Sequence, residues 1–195
     1  MLRIGILGGT FNPLHKGHLW LAEQARRKLR LDKIIFVPAN MPPHKPAIDI
    51  VSGRQRYKMV SMAVKGNPYF DVSDYEIKSG GRSYSVKTVQ AFKRQFGHNA
   101  KLFFLAGSDS LSQLKSWKHI DKIIKLIDFV VFARPGFKTI KMPGIRVITA
   151  INSLDISSTV IRQRIKNGLG VKKFLPDVIY NYIVRKKLYK SHIKK

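Results

Sequence analysis

Two histidines three positions apart, His15 and His18, stand in the stretch GGTFNPLHKGHL at residues 8–19, directly after the apolar run LRIGIL. An imidazole can donate to a phosphate oxygen, accept a proton or ligate a metal. Gly8 and Gly9 allow the backbone to approach a ligand closely. Asn12-Pro13 favours a turn, and a helix starting near Gly17–His18 would present N–H groups and the positive end of its dipole to an anion. Three readings stay open on these residues alone: structural histidines in a turn, a metal site, or a cradle for phosphate. The phosphate loop G-x-x-x-x-G-K-[ST] is absent, and the opening stretch lacks the G-x-G-x-x-G of dinucleotide oxidoreductases. Metal is disfavoured, because a closed site needs further ligands and His44, His98, His119 and His192 show no matching spacing.

The elements that must position these residues alternate. Strand-like runs are LRIGIL (2–7), KIIFVP (33–38), KLFFLA (101–106), DFVVFA (128–133) and IRVITA (145–150), with a weaker candidate around YFDVSDYEI (69–77). Their Ile, Val and Phe content suits strands buried on both faces. Between them, His18, Ala22, Ala25 and Leu29 recur at helical spacing, and residues 54–65, 85–96 and 120–126 also read as helices. ISSTVIRQRIKNG (156–168) has serines at an N-cap and Gly168 as a stop, and LPDVIYNYIVRKKLY (175–189) reads as a last helix beginning after Pro176. This alternation predicts an α/β fold, a Rossmann-like, doubly wound, mostly parallel sheet with helices on both faces. In such a sheet ligands bind beyond the carboxyl ends of the strands, which is where GGTFNPLHKGHL falls.

Length and composition bound the rest. The 195 residues predict a single domain, 1–195, with a C-terminal helical part at about 156–190. The chain has no cysteine, which excludes disulfides and cysteine-ligated metal. No apolar stretch approaches the ~18–20 residues of a membrane span, and the N-terminus enters a strand-like run with no room for a signal peptide. A cytoplasmic protein without a membrane partner is expected. Lys plus Arg total 37 against 11 Asp plus Glu, a net +26. That excess implies either a nucleic-acid partner or a solvated lysine-rich surface that steers anionic ligands. The basic residues are spread along the chain, with one modest concentration in VRKKLYKSHIKK, so nucleic acid is the less favoured partner.

GGTFNPLHKGH resembles the first motif of nucleotidyltransferases with a His-x-Gly-His core, and ISSTVIR (156–162) resembles their second, in the same order and interval. PPHK (42–45), GSDSL (107–111), SWKHID (116–121), GRSYSVKTV (81–89), FARPGF (132–137) and FLPDVIYNYIVRKKLY are similar to bacterial nicotinate-nucleotide adenylyltransferases. The likeness covers essentially the whole chain. It implies the nucleotidyltransferase fold and transfer of AMP from ATP to nicotinate mononucleotide, in NAD biosynthesis. By resemblance, Gly8, Gly9, Thr10 and Phe11 line the nucleotide, and His15 and His18 donate to ATP phosphate oxygens, the polyphosphate favouring the imidazolium form. Ser157, Ser158 and Arg162 hold the outer phosphates, with His15, His18 and Arg162 as the catalytic set. Gly107 and Asp109 meet the ribose side, and Arg134 is a weaker candidate on the nucleotide.

For the mononucleotide the likeness points to His44, Lys45, Ser85, Asp109, Trp117 and Lys118, with Trp117 as a stacking platform or as helix packing. With few carboxylates and none in the opening motif, Mg²⁺ is expected on the ATP phosphates and not in a protein cage. The chain departs from the family in carrying Lys87 where Asp is common, and Asn12 where Asp is frequent. The amide-using and phosphopantetheine adenylyltransferases share the chemistry. The second usually has Thr in place of the first histidine and lacks the PPHK and Trp elements.

Overall fold

A computed structural model describes residues 1–42, 50–108, 114, 116–133, 143–149 and 156–190. Strands β1 (Leu2–Gly9), β2 (Lys33–Pro38), β3 (Phe70–Val72), β4 (Ala100–Gly107), β5 (Asp128–Ala133) and β6 (Ile145–Thr149) form one sheet of order β3-β2-β1-β4-β5-β6. Every pairing among them is parallel, from Ile4 opposite Lys33 in β1–β2 to Ala133 opposite Thr149 in β5–β6. The described helices are α1 (Lys16–Leu29), α2 (Gly53–Val64), α3 (Tyr75–Ser79), α4 (Ser85–Phe96), α5 (Ile120–Leu126), α6 (Ser158–Lys166) and α7 (Asp177–Arg185).

The period-2 pattern of the strands divides the core in two. Leu7, Ile34, Phe36, Phe103, Leu105, Val130 and Phe132 face α1, α2, α6 and α7. Ile4, Ile6, Ile35, Val37, Leu102, Phe104, Phe129 and Val131 face α4 and α5. Full burial of such a side chain contributes roughly 1.5–3 kcal/mol, so strands wet on neither face hold the centre. In α1 the buried Ala22, Ala25 and Leu29 form the inner stripe, while Arg26, Arg27 and Lys28 sit at the negative end of its dipole. The Ser157 hydroxyl caps α6 by accepting from Val160 N at 3.2 Å, and Gly168, at φ +71°, turns the chain away beyond it.

The segment 69–77 resolves into two elements. β3 is a three-residue edge strand, and Asp74 then starts α3, which Gly80 ends at φ +66°. A run this short has no room for a periodic signal of its own. β1 and β4 lie side by side at the sheet centre, and the connections from them run to opposite edges. The crevice beyond their carboxyl ends is the switch point of a doubly wound sheet.

Candidate active site

Gly8 and Gly9 end β1 in this crevice and Gly107 ends β4 beside them. A Cβ on Gly9 would lie 2.8 Å from the Phe11 ring, so the glycine makes room for it. Phe11 takes φ +48°, and its ring is buried edge-on against His18, 5.1 Å between centroids. Phe11 therefore faces the crevice with backbone only, its ring acting as a support beneath His18.

His15 is the N-cap of α1, and the two imidazoles stack with centroids 3.7 Å apart. His18 Nδ1 accepts from the backbone N–H of His15 at 3.2 Å. That nitrogen then presents a lone pair, and the ring proton sits on Nε2. His18 thus has Nε2 as the ring nitrogen left to donate. Gly17 has a specific task, since a Cβ there would come within 3.0 Å of His15 Nδ1.

The second motif docks onto the first. Ser158 Oγ donates to Pro13 O at 3.0 Å, and Arg162 Nη1 donates to Asn12 O at 3.0 Å. The N-termini of α1 and α6, neither with an acidic residue in its first turn, meet at the same turn. Ser157 and Ser158 both turn their hydroxyls to the chain itself, one as a cap and one as a brace. Arg162 Nε is buried without a partner among the described residues, as is Ser108 Oγ just beyond β4. Two donors withdrawn from water at the rim of the crevice suit an incoming anion.

The opening turn rests on Arg56, which the sequence reading passed over, and on Asn12, read there as a turn residue and a departure from the family's Asp. Arg56 of α2 is fully buried, and its guanidinium donates to Val51 O (2.9 Å), Thr10 O (2.8 Å), Ala39 O and Asn40 O (2.7 Å). Burial pulls its pKa below the ordinary value, against the attraction of Tyr189 and Glu76. A signal was present: Arg56 lies on the apolar stripe of α2 with Met59, Val60 and Val64. Asn12, also buried, accepts at Oδ1 from Val51 N (3.2 Å) and from the Tyr189 hydroxyl (2.9 Å).

The same network reaches toward α4. Asn40 N donates to Ser83 Oγ at 2.8 Å, Ser83 N to Met41 O at 2.9 Å, and Thr88 Oγ1 to the Glu76 carboxylate. Burial raises the Glu76 pKa, while Thr88, Ser83 and Arg56 oppose the shift. Ser85, first residue of α4, is thereby fixed beside Tyr84, whose ring lies 4.9 Å from Lys118 Nζ. The predicted mononucleotide residues Ser85 and Lys118 are brought to one region. Trp117 is half-buried and meets Phe104 and Phe129 edge-on at 5.8 and 5.9 Å, so its ring is built into the second core layer. Phe104 spans the two halves, its ring 3.2 Å from where a Gly8 Cβ would stand. Lys87 is exposed, and the family difference there falls on solvent. His44, Lys45, Asp109 and Arg134 lie outside the described residues. Among the described residues no three His, Asp or Glu side chains converge as metal ligands, and no helix is long and apolar enough to cross a membrane.

An all-parallel doubly wound sheet, with two helix N-termini and a histidine pair at its switch point, defines an α/β nucleotide-binding protein of the nucleotidyltransferase class. The family model described as cytidylyltransferase-like matches residues 6–164. A relative from Moorella thermoacetica named nicotinate-nucleotide adenylyltransferase is 39% identical over 98% of this chain and 93% of its own length. One of the same name from Clostridium tetani is 41% identical over 97% of this chain and 100% of its own. The chain belongs to the cytidylyltransferase-like family and, within it, to the nicotinate-nucleotide adenylyltransferases. The fold agrees with the Plasmodium falciparum nicotinic acid mononucleotide adenylyltransferase solved with NaAD, at TM-score 0.81 and 21% identity over 97% of this chain and 98% of that one. The same enzyme solved with APC gives 0.78 at 19% identity, covering 97% of this chain and 98% of that one.

Proposed function

We propose that the protein transfers AMP from ATP to nicotinate mononucleotide, releasing pyrophosphate and forming nicotinic acid adenine dinucleotide. The observation that carries this reading is the lock between the two motifs, Ser158 on Pro13 and Arg162 on Asn12, in a chain with full-length relatives of that name. A phosphate oxygen of the mononucleotide attacks the α-phosphorus of ATP, and the bond to the β-phosphate oxygen breaks with its electron pair leaving on pyrophosphate. Positioning and positive potential suffice, with no covalent nucleophile.

In this reading the Nε2–H of His18, with His15 beside it, donates to the phosphates, and the first-turn amides of α6 together with Arg162 hold the triphosphate tail. Gly8, Gly9, Thr10 and Phe11 contribute backbone, and Gly107 opens the floor. Ser85, Lys118 and the rim of Trp117 take the mononucleotide, with Asp109, Arg134, His44 and Lys45 in the roles that the family implies. Among the described residues the crevice offers N–H groups and no cluster of carboxylates, so Mg²⁺ would arrive on the ATP phosphates and keep several waters.

A pyrophosphate-release assay with Mg–ATP and three acceptors tests this: nicotinate mononucleotide, its amide and phosphopantetheine. Release is expected with the first. Release with none overturns the enzyme reading, and preference for either other acceptor overturns the substrate.

A further inference from the structure

Tyr189 lies 177 residues from the opening motif yet ends inside it, its hydroxyl 2.9 Å from Asn12 Oδ1 in a buried contact. The chain goes to some trouble to put it there. Beyond α7, Lys187 N bonds to Val184 O and Leu188 N to Ile183 O, and Lys187 and Tyr189 both take positive φ, +50° and +63°. Non-glycine residues are held in this region only where the surroundings over-determine them. Here the anchors are Leu188, buried in the first core layer, and the Tyr189 ring, 9% exposed. Burial pushes the phenol well above its ordinary pKa, so it stays protonated and can only serve Asn12 as a donor.

Asn12 is the residue on which three segments converge, the Tyr189 turn, the residues before α2, and α6. Its side chain accepts from Tyr189 and from Val51, two residues before α2. Its backbone carbonyl accepts from Arg162, and the next carbonyl, of Pro13, accepts from Ser158. A residue gripped through its side chain presents its carbonyl at a fixed angle, and that carbonyl sets where the Arg162 guanidinium points. We propose that Tyr189 is a positioning residue for the triphosphate clamp, acting through Asn12 on Arg162 and touching no substrate itself. The idea rests on the adenylyl-transfer reading only in taking ATP phosphate as what Arg162 meets.

The test is a double-mutant cycle on Mg–ATP binding, measured by calorimetry without acceptor, using wild type, Tyr189→Phe, Arg162→Ala and the double variant. Tyr189→Phe should weaken ATP roughly tenfold, the scale of one net hydrogen bond to a positioned group, and leave nicotinate mononucleotide affinity unchanged. In the Arg162→Ala background the same change should cost less than about twofold, since the group it acts through is gone. Tyr182→Phe on α7 serves as the control for a hydroxyl lost from the same helical region, and should leave ATP affinity at the wild-type value. Equal losses in both backgrounds, equal losses for both substrates, or no loss at all overturn the proposal. If Tyr189→Phe does not fold, Leu188→Val loosens the same turn and enters the cycle in its place under the same criteria. Wild-type protein that fails to bind Mg–ATP overturns the functional reading as well, whereas wild-type binding with an additive cycle overturns this proposal alone.

Discussion

Replacing Arg56 by Met gives the most direct measure of what the network beneath the opening turn contributes. The guanidinium reaches the carbonyls of Thr10, of the consecutive Ala39 and Asn40, and of Val51, three separate stretches of chain. Methionine fills the space of the stem but offers no donor, so the four carbonyls lose their common partner. A hydrogen bond to a charged group contributes about 1.5–3 kcal/mol, which over four bonds gives an upper bound of about 6–12 kcal/mol. Against that stands the desolvation of a buried cation, several kcal/mol, which the substitution removes. Some carbonyls also regain water. The net expectation is a loss of about 3–5 kcal/mol, or about 6–20 °C in Tm for a chain of this size. Urea denaturation gives the free energy and pyrophosphate release the activity, which should fall even where the variant is fully folded, because Thr10 O is no longer held. Arg56→Lys, with a point charge in place of a fork, should recover less than half of the lost stability. A loss below about 1 kcal/mol with unchanged KM for ATP would refute the reasoning, showing that the backbone holds itself.

His18→Ala should lower turnover by roughly 10²–10³, the range for losing one transition-state donor, with Tm little changed; wild-type turnover would sink the assignment. Gly17→Ala improves helix propensity in α1 but crowds His15 Nδ1, so Tm should hold or rise while kcat falls by about tenfold or more; unaltered kcat would show that the ring has room. Glu23, paired with Arg26 and Arg27, has its carboxyl held down to about 2 from an ordinary 4.5, by the Arg26 hydrogen bond first. Its folded pKa is the depressed one, so its contribution is present above about 4.5 and is lost as pH falls toward 2. Glu23→Gln should therefore cost about 0.5–1 kcal/mol at pH 7, with the two unfolding curves converging as pH falls toward 2; a gap that stays constant with pH refutes the pairing.

Much of the fold was legible because strands buried on both faces read as unbroken apolar runs, and the helices between them carry a clear inner stripe. The five strong strands and the paired motifs fall where periodicity places them. β3 and α3 were merged into one weak candidate, since a three-residue edge strand and a one-turn helix are too short for a period to show. Within the site, the residue types were legible and their partners were not. The serine hydroxyls of the second motif go to a cap and to Pro13, which depends on α6 docking against α1. Arg56 is one of 37 basic residues, and only its place on an apolar stripe separates it from the solvated ones. Glu76 is the corresponding acid, buried on a helix whose Lys78 and Ser79 are exposed. Tyr189 follows the last described helix, and nothing local announces that its partner is Asn12.

β1 is made first, and in the finished sheet it is the central strand, bonded to β2 on one side and to β4 on the other. β2 begins 24 residues after β1 ends, but β4 begins only at Ala100. During synthesis one edge of a strand carrying Ile4, Ile6 and Leu7 stays open until the fourth strand arrives, and parallel pairings of such separation form slowly. The first half of the chain therefore leaves that edge unpaired for longer than a sheet assembled in sequence order would. Expression at lower temperature or with nascent-chain chaperones should raise the yield of folded protein more than any change at the crevice would.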